Sequence, residues 1–255
     1  CVLQSEQRGT GHAVKQALPY LEDSELVIVL CADVPLITTE TLQRLAKKAK
    51  SSQGFSVLTV TLEKPEGYGR IFRKEDGTVE KIVESVDLEE ADRKIVECNS
   101  GIFAIRAGYL KRWLPNLKGK NLQNELYLTD CVIFAIEDKI KVVSLSVDDS
   151  TEVLGVNDKK QLARAERVFQ NRIASDLLES GVTLLDPSRL DVRGELVLGR
   201  DVTIDVNVVF EGRVVLGDGV YIGPNSIVRN SEIGENSVVR EHCVLDSVSV
   251  GVDCR

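Results

Sequence analysis

The sequence predicts a chain of two architectures, an α/β domain over residues 1–158 and a parallel β-helix over 181–255, with a long charged connector helix over 159–180. Three observations carry this reading. Short aliphatic runs alternate with amphipathic stretches through the first part, the pattern of strands and helices folded into one sheet. Further on the period changes, and apolar residues recur six apart at Val192, Leu198, Ile204, Phe210, Leu216, Ile222 and Val228. Glycine follows such a position directly at Gly199, Gly217, Gly223, Gly234 and Gly251. Short period-two strands of a sandwich would not hold both positions in register for so long, whereas a stack of hexapeptide coils requires it.

Taken in order, the chain opens with a polar loop, Gln4 to Ala13, in which Gly9 and Gly11 flank Thr10 and an apolar pattern begins at Val14. Two readings fit: an ordinary turn, or a loop whose backbone approaches a ligand beside a helix start that offers N–H groups to an anion. Leu26–Cys31 is a continuous aliphatic run, expected to form a central strand buried on both faces. Thr38 or Thr39 caps a helix over Glu40–Lys50, and Phe55–Leu62 is the next strand. Lys74–Thr78 turns a hairpin between Ile71–Arg73 and Val79–Glu84. Gly101–Arg106 and Ile140–Val147 complete the strands, with a helix over Tyr127–Glu137. In the connector, Leu162, Ala165, Val168, Phe169, Ile173 and Leu177 mark an apolar stripe, with Asp158 capping its start and Gly181 its end. The repeat resumes after a shorter step at Ile233, Val239 and Leu245, and again at Val250. A second inward set comprises Leu196, Val202, Val208, Val214, Val220, Ser226, Ser237 and Cys243.

Composition excludes several classes. A chain of 255 residues with 43% hydrophobic and 28% charged residues suits a soluble globular protein. A net charge of -8 argues against a duplex nucleic-acid partner. The six cysteines are scattered, without a C-x-x-C pair, and Cys243 beside His242 does not make a metal site, so reduced thiols in a cytoplasmic protein are expected. The longest apolar run, Leu26–Ala32, is too short to span a bilayer, so no membrane partner is expected, and no signal-peptide pattern is present. There is no methionine, Cys1–Leu3 reads as the end of a strand in progress, and Val250–Arg255 stops in mid-pattern. An internal fragment of a longer protein is therefore expected.

Polar residues at element ends are the candidates for chemistry. Asp33, after the first strand, suits a divalent cation or a turn; Asn157 is a neutral oxygen ligand or a helix cap. Tyr68-Gly69-Arg70 is a loop of close backbone approach or the start of a hairpin. Glu84 and Asn99 stand at strand boundaries, an ordinary place for polar side chains. Each signal is weak alone, and their order is the specific feature.

That order, with the loop ending Gly9-Thr10-Gly11-His12-Ala13, then Asp33-Val-Pro-Leu36, Gly67-Tyr-Gly-Arg-Ile71, Ile82-Val-Glu84, Asn99-Ser-Gly-Ile102, Leu154-Gly-Val-Asn157 and the hexapeptide region, closely resembles the bacterial bifunctional GlmU enzymes over essentially the whole chain. These are N-acetylglucosamine-1-phosphate uridylyltransferases joined to glucosamine-1-phosphate acetyltransferases. The resemblance implies a Rossmann-like nucleotidyltransferase domain, a left-handed β-helix and a homotrimer. It implies that Gln4 reads uracil, that Gly9 and Thr10 line the nucleotide pocket, and that Asp33 and Asn157 hold Mg²⁺. Gly69, Glu84 and Asn99 would surround the N-acetylglucosamine moiety, with Asn157 touching the product as well. The family's glycine-rich phosphate loop would lie before Cys1, and its acetyl-CoA site and catalytic histidine after Arg255, so His242 is not that histidine and the fragment alone is expected to perform neither step. Two departures stand out: Cys31-Ala32 replaces the usual Tyr-Gly, and Asn124 replaces a usual glycine. A nucleotidyltransferase of other sugar-nucleotide specificity, and a non-catalytic relative, are the rival readings. The uridine-type loop opposes the first and the presence of both Asp33 and Asn157 opposes the second. A pure hexapeptide acyltransferase has no need of residues 1–158.

Overall fold

The computed structural model describes residues 1–119 and 121–255 and divides into two units, Cys1–Asn157 and Asp158–Arg255. In the first, strand β2 (Phe55–Thr61) is covered on both faces, which explains its unbroken apolar character. Phe55 and Val57 pack toward Trp113 and Leu114, whereas Leu58 and Val60 pack toward Leu45 and Ala49 on the other side. The helix on that side, α2 (Thr39–Lys50), is capped by Thr38, whose side chain accepts from the Thr41 N–H at 3.2 Å. The helix at the chain's start, α1 (Thr10–Ala17), and β1 (Leu26–Val29) precede it.

β2 lies beside β5 (Glu97–Arg106) and β6 (Val143–Ser146) in a mixed sheet ordered β4-β3-β5-β2-β6, with β1 also on β5. The hairpin strands are β3 (Arg70–Arg73) and β4 (Val79–Val83). Its turn closes through Lys74 N–H to the Thr78 carbonyl at 2.9 Å, and Gly77 takes a φ of +79° there. Among the described residues of this sheet only β2–β6 is parallel; β1, β2 and β3 all run antiparallel to β5. Helices α3 (Ala107–Trp113) and α4 (Cys131–Glu137) cover the Phe55 face.

The first strand differs from the expectation of a central, doubly buried element. β1 ends at Val29 and, among the described residues, pairs with β5 alone. Val27 and Val29 pack on one core cluster and Leu26 on the other, while Ile28 and Leu30 remain 37% and 47% exposed, because the second face is covered only at the start of the strand. Asp33 therefore leaves the sheet through a turn, closed by Val34 N–H to the Cys31 carbonyl at 3.2 Å. The expected helix over Tyr127–Glu137 begins as a 3₁₀ turn, Leu128–Asp130, before α4.

The second unit begins with α5 (Lys159–Glu179), whose capping box pairs Asp158 with Gln161. Ala165 and Ala174 are buried and Ile173 and Leu177 pack on the β-helix core, but Leu162 and Phe169 of the expected stripe are 55% and 47% exposed. The coils that follow sort the hexapeptide positions into three parallel ladders. One runs Val192–Phe210–Val228–Leu245, the next Leu198–Leu216–Ile233–Val250, the third Leu184–Ile204–Ile222–Val239. Where the second inward set turns to serine, the hydroxyl is used. Ser226 and Ser237 are buried, accept from the N–H of Cys243 and Cys254 (3.2 and 3.0 Å), and donate to the carbonyls of Arg240 and Gly251 (3.0 and 2.8 Å). Asparagines with positive φ, including Asn207 and Asn225, turn the corners, and these two bond side chain to side chain at 2.9 Å.

The first long strand of the coil, β7 (Leu190–Leu198), has β8 (Val208–Leu216) on one side. On its other edge the buried Gln170 amide of α5 mimics a strand, accepting from Val192 N–H at 2.8 Å and donating to the Val192 carbonyl at 3.0 Å. Gln170→Ala leaves both backbone groups without that partner and is expected to destabilise the second unit by about 1–3 kcal/mol, read as a fall in its thermal midpoint, while exposed Phe169→Ala changes it little.

Candidate functional site

Three of the expected site residues form one row across neighbouring strands. The Asn99 N–H donates to the Gly69 carbonyl at 2.9 Å. A Cβ at Gly69 would lie 3.1 Å from Glu84 Oε2, 3.2 Å from the Val83 carbonyl and 3.6 Å from the Asn99 Cβ. Gly69 is thus closely fitted by its neighbours, and its own φ does not call for glycine. Asn99, buried, uses its Oδ1 to accept from the Gly101 N–H at 3.0 Å. Glu84 Oε1 accepts from the Thr129 hydroxyl at 3.0 Å.

Asp33 reaches the same region by another route. Its carbonyl accepts from the Val156 N–H at 2.8 Å, which brings the turn carrying Asp33 beside the loop carrying Asn157. A second tie reinforces the first. Glu152, itself buried, accepts from the Thr38 N–H and hydroxyl (3.0 and 2.8 Å) and the Thr41 hydroxyl (3.0 Å), fixing residues just before Asn157 to those just after Asp33. The Asp33 carboxylate is exposed and, among the described residues, carries no side-chain hydrogen bond or ion pair. Cys31 joins the two groups: its thiol donates to the Gly101 carbonyl at 3.5 Å, and burial, with the charges of Asp33 and Glu84, pushes the thiol's pKa up. The Cys31 side chain therefore rests on the β5 backbone next to the Asn99 row.

The opening loop connects through residues 125–128. Arg8 and Gly11 bracket Leu126 with two backbone bonds of 2.8 Å, and a Cβ at Gly9 (φ +99°) would stand 2.7 Å from the Leu126 carbonyl oxygen. Packing against this segment accounts for the loop's glycines. Thr10 Oγ1 accepts from the Leu128 N–H at 3.0 Å, one residue before Thr129, the partner of Glu84. Gln4 lies with its Nε2 3.0 Å from His12 Nδ1, so α1 fixes its amide. Asn124, the departure from glycine, takes a φ of +54°, a conformation asparagine tolerates better than most residues. The eight expected residues thus fall into three linked groups: Glu84–Gly69–Asn99, Asp33–Asn157, and Gln4–Gly9–Thr10.

Thr129 and Glu152 were not singled out in the sequence. Thr129 sits in a stretch legible only as helix, and Glu152 precedes Leu154-Gly-Val-Asn157 as an unremarked acid. A polar residue inside an otherwise aliphatic stretch was the one available signal for Thr129. Thr129, Tyr127, Asp130 and Asp87 also line a cavity of about 580 Å³ against Glu84.

Burial pushes the Glu84 carboxyl up, with Asp130 and Asp87 adding to the effect and the Thr129 bond opposing it. A carboxyl whose pKa is raised on folding favours the folded state below its ordinary range, and that contribution is lost as pH rises through the folded value. Glu84→Gln is therefore expected to raise the thermal midpoint of the first unit near neutral pH, with the gain vanishing as pH falls below the ordinary carboxylate range. Thermal unfolding of both proteins across pH 4–8 checks this, and a gain larger at the acid end would contradict it.

Residues 1–151 match the family described as nucleotidyl transferase, and residues 196–230 match bacterial transferase hexapeptide (six repeats). The chain is 51% identical over 251 residues to the protein named bifunctional protein GlmU from Azoarcus sp. strain BH72, covering 98% of this chain and 55% of that protein. A protein of the same name from Thiobacillus denitrificans is 56% identical over 232 residues, 91% of this chain and 50% of that protein. The corresponding protein from Cupriavidus pinatubonensis is 51% identical over 252 residues, 99% and 55%. The chain spans about half the length of these curated relatives. With a family match over more than half its length, laid on the unit that holds all eight expected site residues, the chain belongs to the nucleotidyl transferase family.

Proposed function

We propose that the first unit carries a site for uridylyl transfer from UTP to N-acetylglucosamine 1-phosphate, giving UDP-N-acetylglucosamine and pyrophosphate. We propose also that the β-helix belongs to an acetyl-CoA-dependent glucosamine-1-phosphate acetyltransferase half, in a cytoplasmic homotrimer. The observation that carries the first proposal is the convergence of Glu84, Gly69 and Asn99 in one row, beside a turn that ties Asp33 to the loop of Asn157. The relatives printed as bifunctional protein GlmU support it, and the hexapeptide match supports the second.

In this reading each side chain has hydrogen-bonding capacity left for substrate. Asn99 spends its Oδ1 on Gly101, so its amide NH₂ donates to the sugar. Glu84 spends Oε1 on Thr129, so Oε2 accepts from a sugar hydroxyl across the space that Gly69 leaves open. Gln4, held by His12, offers an amide donor and acceptor to the uracil edge, and Gly9 and Thr10 line the nucleotide pocket. An exposed carboxylate without an internal partner and a neighbouring amide oxygen form a hard, all-oxygen donor pair, which fits Mg²⁺ shared with substrate phosphates. When bound, the metal supplies charge neutralisation for the phosphates during in-line displacement. Asp33 and Asn157 would hold it, and the remaining residues act by orienting the sugar phosphate, with no covalent enzyme intermediate.

The test is UDP-N-acetylglucosamine formation by the intact gene product, with and without Mg²⁺, in the parent and in Asp33→Ala. Metal-dependent turnover that falls by about a hundredfold or more in the variant is expected. Metal-independent turnover, an undiminished variant, or preference for another nucleotide or sugar phosphate would overturn the proposal.

A further inference from the structure

His12 stands between two amides. Its Nδ1 lies 3.0 Å from Gln4 Nε2, and its Nε2 lies 3.2 Å from Gln16 Nε2. All three residues are half-buried, so the row is not sealed from solvent. A neutral imidazole carries hydrogen on one ring nitrogen and accepts only at the other. Two amide nitrogens cannot both donate to it, so one amide presents its oxygen instead, by a half-turn about its last side-chain bond.

A third hydrogen bond settles which amide turns. Gln16 Nε2 also donates to the His12 carbonyl at 3.0 Å, one turn back along α1. Turning Gln16 would set its oxygen against that carbonyl oxygen, whereas among the described residues Gln4 has no second contact to lose. Gln16 therefore spends both amide hydrogens on His12. Nε2 of the ring is the bare nitrogen, and Nδ1 carries the hydrogen and donates to Gln4 Oε1. The Gln4 NH₂ then points away from the ring, and the second lone pair of Oε1 stays free. A charged ring, with hydrogen on both nitrogens, would donate to Gln4 in the same sense.

We propose that Gln16 and His12 are positioning residues that fix the Gln4 amide with its NH₂ toward the base, so that the site selects a carbonyl over an amino group at C4 of a pyrimidine, and hence uridine over cytidine. The inference rests on the proposed function, in which Gln4 contacts the base. It adds what a glutamine alone leaves open: an amide free to rotate offers its donor and acceptor in either order and would suit O4 of uracil or the amino group of cytosine. Held in one sense, it matches N3–H and O4 of uracil and opposes the cytosine edge.

Histidine labelling with nitrogen-15 tests the ring directly, since the chain has two histidines. His242 is assigned by its loss in His242→Asn, a residue that tolerates the φ of +58° there. In the complete 255-residue chain, at the high-pH plateau of the ring's own titration, long-range proton–nitrogen correlations are expected to show hydrogen on His12 Nδ1 and a bare Nε2. Hydrogen on Nε2, or averaging between the two forms, would overturn the proposal. Gln16→Leu removes the donor to Nε2 and is expected to bring the second form into the spectrum. In the intact gene product the same substitution is expected to lower the ratio of kcat/KM for UTP over CTP by about tenfold. Gln4→Glu, an acceptor at both oxygens, is expected to move the preference toward CTP. An unchanged ratio in Gln16→Leu would overturn the proposal. A parent protein that turns over neither nucleotide would contradict the proposed function itself, a failure distinct from a wrong ring form or an unmoved ratio.

Discussion

The bond from Asn99 N–H to the Gly69 carbonyl, with Glu84 and Val83 closely packed around Gly69, is the constraint on which the first unit's site depends. It aligns the ends of β3, β4 and β5, so that a carboxylate and an amide arrive side by side from residues far apart in sequence. A methyl group at position 69 would stand 3.1 Å from Glu84 Oε2 and 3.2 Å from the Val83 carbonyl, so the carboxylate or the strand backbone would have to shift by a few tenths of an ångström. The burial that makes the row possible also raises the Glu84 carboxyl, so the most precisely held part of the site is held against an electrostatic cost. A substrate hydroxyl arriving at Glu84 would offset part of that cost, since it stabilises the charged form.

Around the row the chain uses polar ties between loops instead of apolar packing. Glu152 gathers the N-terminus of α2, Val156 holds Asp33, and Thr129 and Thr10 link the opening loop to Glu84. Loops carry backbone groups that only such bonds can satisfy when they are buried, and satisfied networks fix one geometry where apolar contacts would allow several. The second unit solves a comparable problem differently. Its repeats satisfy one another, and the unpaired edge of β7 is finished by a single glutamine from α5.

The β-helix was almost wholly legible in the sequence, because a repeat states its register many times over and each buried position is announced by the one before it. In the connector helix Leu162 and Phe169 are exposed against expectation, since a helical stripe says which residues share a face without saying how wide the covering surface is. In the first unit the strands were legible and the sheet order was not. Leu26–Leu30 has the composition of a doubly covered strand, but coverage depends on which neighbours arrive, a long-range property that composition does not encode. The candidate site was legible as an order of motifs, and only the fold shows that Gly69, Glu84 and Asn99 touch. Thr129 and Glu152 escaped notice because their roles reside in partners distant in sequence.

The proposed cation site of Asp33 and Asn157, next to the Glu84–Gly69–Asn99 row, can be located by anomalous diffraction from crystals of the intact protein grown with UDP-N-acetylglucosamine and Mn²⁺ in place of Mg²⁺. An anomalous peak is expected between the Asp33 carboxylate and the Asn157 amide, with the sugar ring lying against Glu84 and Asn99. A peak elsewhere in the first unit, or a sugar bound away from that row with no metal at Asp33, would contradict it.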